Sequence, residues 1–214
     1  MNSHALANQN CLQLGRVVDN ADPDNRGRVK IRLLAVPMEI WAEVVAPSAG
    51  QGYGVSFVPR VDEVVVLAFV DSDRALILGS IWEGQSSAPE ECDPQEDHYA
   101  IHTPNGTVIE LDDGDGPKLE LRTRSGYRVT VTEGDGGAIT IERGEQSVAL
   151  TASEITIQSS GTVNINGGSS VNVSAATVKV DAGMSKFSGV VKADTVIANA
   201  VVGTSYTPGA GNIW

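Results

Sequence analysis

The chain has 214 residues, 41% of them hydrophobic and only 5% aromatic, with a formal net charge of −12. That length and composition allow one or two domains with a thin core, and the charge argues against a nucleic acid as the main partner, because phosphate binding relies on a positive field. No apolar run is long enough to cross a bilayer, and the opening MNSHALANQN has neither the basic start nor the apolar stretch of a signal peptide. Folding and assembly in a bacterial cytoplasm are therefore expected. Cys11 and Cys92 lie far apart and read as two free thiols, not a disulfide framework.

After an N-terminal arm (1–11), residues 12–83 are dense in Val, Leu and Ile: "GRVKIRLL" (27–34), "WAEVVA" (41–46), "DEVVVLAFV" (62–70) and "ALILGSIW" (75–82). Turn residues separate these runs, as in "DNADPDNRG", "PSAGQGYG" and "DSDR". Short strands with tight turns in so small a span predict a closed antiparallel barrel. In "RVKIRL", Arg28, Lys30 and Arg32 alternate with Val29, Ile31 and Leu33, which sends the aliphatics inward and makes the charges a solvated strand face.

The stretch "EGQSSAPEECDPQED" (83–97) holds six carboxylates, two prolines and no Lys or Arg, and the linker is drawn at 84–98. Beyond it a repeat emerges: "TPNGTVIEL" (103–111) and "TRSGYRVTV" (123–131) agree at Thr, Gly and the closing apolar pair. Apolar-x-apolar pairs then recur as Ile109/Leu111, Leu119/Leu121, Val129/Val131, Ile139/Ile141, Val148/Leu150, Ile155/Ile157, Val163/Ile165, Val171/Val173 and Val178/Val180. Their period of two marks strands with one buried face. The pairs fit neither the six-residue register of a one-chain left-handed β-helix nor the nine-residue register of a calcium-binding roll.

Two branched side chains per strand are a poor core for one chain. Three copies wound round a common axis would fill a triangular prism with the apolar pairs of all three chains and pair strand edges between chains. The expected fold is thus all-β, a small N-terminal antiparallel barrel followed by a trimeric intertwined β-helix over 99–190, with a C-terminal apex at 191–214.

Other signals are weaker. His98 and His102 have a helical metal spacing, but "HYAIH" reads as a strand, and His4 is the only other histidine. "DDGDG" (112–116) and "EGDGG" (133–137) lack the twelve-residue calcium pattern and read as tight turns. No nucleophile, paired-carboxylate or phosphate-loop motif has its required context, so no catalysis, metal or cofactor is expected.

The run "GVSFVPRVDEVVVLAFVDSDRALILGSIW" (54–82) resembles the OB-fold signature of the central spike proteins of contractile phage tails, the baseplate assembly protein V family, and of the VgrG spikes of type VI secretion. Phe57, Pro59, Asp62, Glu63, Val64, Val66, Phe69, Asp73, Leu78, Gly79 and Trp82 carry the likeness. Val61 stands where that family has Gly, and Arg74-Ala75 where it often has Pro. "GRVKIRL", "HTPNGTVIELDD" and "RSGYRVTV" resemble the family too, extending the likeness over about 12–180.

The resemblance implies a needle driven through a target cell envelope by a contracting sheath, in a virion or phage-like particle. Some relatives insert a lysozyme domain where only the acidic linker stands here, so the chain is expected not to be an enzyme. VgrG carries a hub ahead of the barrel; here the hub is expected to be a separate protein. Relatives that sharpen their own needle carry His-x-His near the end, whereas this chain has no histidine after His102. Ile213 and Trp214 are instead expected to dock a small tip protein of the PAAR kind. Two rival functions are an OB-fold binder of single-stranded nucleic acid and a trimeric tailspike that binds polysaccharide.

Overall fold

The computed structural model describes residues 12–71, 74–84, 87–89, 96–114 and 118–205. The arm 1–11 with His4 and Cys11, as well as Asp73, Cys92, Ile213 and Trp214, lie outside the described residues. Everything regular in them is β-structure, apart from one 3-10 turn at Gly134–Gly136.

Strands β1 (Gln13–Asp19), β2 (Arg28–Leu33), β3 (Glu39–Val44), β6 (Val64–Phe69) and β7 (Ala75–Ile81) close into a barrel in the order β1-β2-β3-β7-β6. β6 pairs back onto β1, and the one parallel contact is β3 with β7. The alternation in β2 works as its sequence demands. Val29, Ile31 and Leu33 are buried with Val17, Ala42, Val65, Leu67, Ala75 and Ile77 in one core. Gly15 sits where a Cβ would strike Ile31 and press on Leu67, so only a hydrogen fits there. The small hairpin β4 (Ala49–Gly50) and β5 (Tyr53–Gly54) interrupts the connection from β3 to β6.

A seven-stranded antiparallel sheet follows: β8 (His98–His102), β9 (Val108–Asp112), β10 (Lys118–Arg122), β11 (Arg128–Thr132), β12 (Ala138–Arg143), β13 (Gln146–Thr151) and β14 (Ile155–Gln158), paired in sequence order. Over 98–158 this corrects the expectation that strand edges pair between chains. Tight turns keep consecutive strands adjacent, so both edges of β9 through β13 are already occupied within the chain. The last three apolar pairs, Val163/Ile165, Val171/Val173 and Val178/Val180, form no strand, because no segment of the same chain lies beside them to complete a ladder. Residues 164–214 also separate from 1–163 as a unit of their own.

Candidate assembly surface

Register decides which side chains share a face of the seven-stranded sheet. Ile101, Ile109, Leu121, Val129, Ile141, Val148 and Ile157 stand opposite one another strand by strand and form one aliphatic ladder. Tyr99, Leu111, Leu119, Val131, Ile139, Leu150 and Ile155 form a second beside it. Apart from Val129 and Val131, every member is an exposed large apolar residue, up to 69% at Ile155. A single chain thus turns its apolar face to water.

The structure brings together twelve of the expected core residues, Ile109 through Ile157, in these ladders, and leaves Val163, Ile165, Val171, Val173, Val178 and Val180 exposed, outside any sheet. Tyr99 and Ile101 were missed. Their signal was the x-apolar alternation of "HYAIH", masked by the histidines flanking it.

The opposite face carries the charges. Lys118 Nζ donates to Glu110 Oε1 at 2.6 Å, and His98 Nε2 lies 3.5 Å from the same oxygen. The Lys118 hydrogen bond holds the Glu110 carboxyl below its ordinary range against the opposing effect of burial, and Glu110 in turn raises the Lys118 amine. Further along, Arg128 bridges Glu120 at 3.9 Å and Glu142 at 3.6 Å. These cross-strand pairs satisfy most of this face with the chain's own groups, although the buried Nδ1 of His98 has no hydrogen-bond partner; the apolar face is the one left without cover. His98 and His102 do share this polar face, yet four residues of strand set them roughly 13 Å apart, too far for one ion.

The repeat seen in the sequence is a repeat of turns. Thr103 and Thr123 each receive the backbone N–H of the residue three on, Gly106 and Gly126, and their Oγ1 atoms accept the N–H of the residue four on, Thr107 and Tyr127. Both glycines have positive φ, 80° and 86°, which L side chains rarely adopt. "EGDGG" (133–137) likewise forms a turn, ending in Gly136 and Gly137 at φ 94° and 68°.

Binding of single-stranded nucleic acid needs a positive groove with exposed aromatics. Tyr53 in the small hairpin and Phe57 and Trp82 in connections are exposed at 72%, 62% and 60%. Five of the seven cations among the described barrel residues are ion-paired. Arg16 pairs with Glu83, Arg28 with Asp22 and Asp24, Lys30 and Arg32 with Glu39, and Arg74 with Glu43. Arg26 and Arg60 alone form no ion pair among the described barrel cations, and two arginines supply far less positive charge than a track along a phosphate backbone needs.

A five-stranded barrel closed by its first and fourth strands, with a parallel contact between the third and fifth, is an OB-fold. Residues 13–82 match the family described as the type VI secretion system/phage-baseplate injector OB domain. The barrel is therefore similar to the OB domain of that injector class, which supports a structural role in a baseplate. No curated protein matches the chain.

Proposed function

We propose that the chain is the central spike of a contractile injection particle, a homotrimer whose barrels attach to a separate hub and whose following segment forms a needle. The observation that carries this reading is the pair of seven-residue apolar ladders left open to water, opposite a polar face that carries its own cross-strand ion pairs. Three such sheets, apolar faces inward, would close a prism without exposing a strand edge along its walls. Beyond Gln158 the described residues have apolar side chains but no backbone ladder of their own, so two more copies would supply the ladder and the facing side chains. The proposed prism has no hinge along its length, which suits a part that punctures a target cell envelope, and the spike would be built in the bacterial cytoplasm with the rest of the particle. A small PAAR-like tip protein on Ile213 and Trp214 completes the proposal.

Light scattering on the purified chain checks the trimer, with an expected mass three times 22.4 kDa; a stable monomer at micromolar concentration overturns it. Immunogold labelling checks the place in the particle. Label confined to the baseplate end, on the axis, is expected, and label along the sheath sinks the spike reading. Capture of the tip protein by full-length chain, lost on deletion of 203–214 without loss of the trimer, checks the docking role.

A further inference from the structure

Successive strands of the seven-stranded sheet run in opposite directions, so its turns fall alternately on two sides. One side receives the chain at 96–97, the end of β9 at 112–114 and the turns 133–137 and 152–154; the other carries 103–107, 123–127 and 144–145. The two sides differ in charge. The first presents Glu96, Asp97, Asp112, Asp113, Glu133 and Glu154, with Lys118 as the one nearby cation among the described residues. Asp97, Asp113, Glu133 and Glu154 are exposed and make no ion pair among the described residues.

The second side presents Arg122, Arg124, Arg128 and Arg143 against Glu142 and Glu145. Arg124 and Arg143 are exposed and have no carboxylate partner among the described residues. Both are nonetheless positioned. The Arg143 guanidinium stacks over the Tyr127 ring at 4.7 Å, and the stem of Arg124 lies against Gly106 of the neighbouring turn, 3.7 Å from where a Cβ would be.

In a protein as acidic as this one, a side that collects four arginines needs a reason. Two copies meeting like side to like side would set arginine against arginine and carboxylate against carboxylate. Head-to-tail contact sets each arginine side against a carboxylate side, and repeated rotation of that kind closes a ring. We propose that these two sides are complementary docking surfaces, the arginine side of one chain seating against the carboxylate side of a second copy, so that charge fixes the sense in which three copies close. This rests on the trimeric shaft proposed above and specifies what joins its walls.

The test uses the full chain and charge reversal. One variant carries Arg124→Glu with Arg143→Glu, a second Asp113→Lys with Glu133→Lys, and a third all four changes. Trimer mass on dilution and melting temperature are read at about 20 mM and about 500 mM salt, which shortens the screening length from about 20 Å to about 4 Å. Each pairwise variant should raise the trimer dissociation constant at low salt by at least about tenfold, with most of the loss masked at high salt. The fourfold variant should recover to near wild type. A wild-type trimer with unaffected variants, or a fourfold variant whose losses merely add, overturns the docking inference and leaves the trimer standing; a monomeric wild type overturns both. Arg124→Gln with Arg143→Gln guards against misfolding: a smaller loss in the same direction supports the inference, and no loss counts against it.

Discussion

At the scale of single residues, the turn into β6 shows how a departure from a family pattern is absorbed. Asp62 takes φ 76° one position after Val61, where the resemblance described above would place glycine. The Glu63 N–H still closes on the Arg60 carbonyl at 3.1 Å, and the Asp62 N–H reaches Val17 at 3.0 Å. Aspartate tolerates that left-handed conformation better than most residues, whereas a β-branched side chain does not. Asp62→Val should therefore cost about 1–2 kcal/mol in thermal melting while Asp62→Gly costs nothing measurable; equal stability of the two variants would contradict a strained turn. Asp22 offers a second test. Its carboxylate accepts the side chain of Arg28 and the N–H groups of Asp24, Arg26 and Arg28, which hold it far below its ordinary 3.8, the Arg28 bond most of all. A depressed folded pKa adds stability that is complete above the unfolded value and fades as pH falls below it. Melting temperature should thus decline below about pH 4, more gently in Asp22→Asn, and identical acid limbs would exclude this group as a cause.

Among elements, legibility followed how plainly each strand alternates. β2 was readable because Val29, Ile31 and Leu33 all point inward. β1 was not singled out, since its inward positions are Gln13, Gly15 and Val17 and its Leu14 faces out; a hydrogen-sized residue packed against Ile31 leaves no hydrophobic trace. The ladder residues 109–157 were legible as pairs, but pairing within the chain was not, because period two fixes a strand's faces and says nothing about its neighbours. The turns decided that, and the Thr-x-x-Gly repeat was their signal. Thr103→Val and Thr123→Val each remove an acceptor for one backbone N–H and should each cost about 0.5–1.5 kcal/mol, measured by chemical denaturation. The two costs should be alike because the two turns share their bonds; a large disparity would show that the repeat is only one of sequence.

For the whole molecule, the decisive contrast is between a part that fills its own core and a part that does not. The barrel buries its core residues without help, whereas Val171 and Val178 are exposed at 56% and 59% in a segment with no strand of its own. Stability of the two parts should separate accordingly. In the proposed trimer, Val171→Asp or Val178→Asp places three carboxylates at one level of a dry interior, where desolvation and mutual repulsion both disfavour their charge. Light scattering at pH 7.5 should show loss of the trimer, while the amide spectrum of the barrel keeps the dispersion of a folded domain. Burial raises the pKa of an introduced carboxyl, so protonation relieves the penalty, and trimer should partly return near pH 5, still above the range in which Asp22 loses its stabilising charge. Complete assembly of either variant at neutral pH would remove Val171 or Val178 from the interior. Loss of the barrel's spectrum along with the trimer would mean instead that the barrel depends on the shaft, against the separate core seen here.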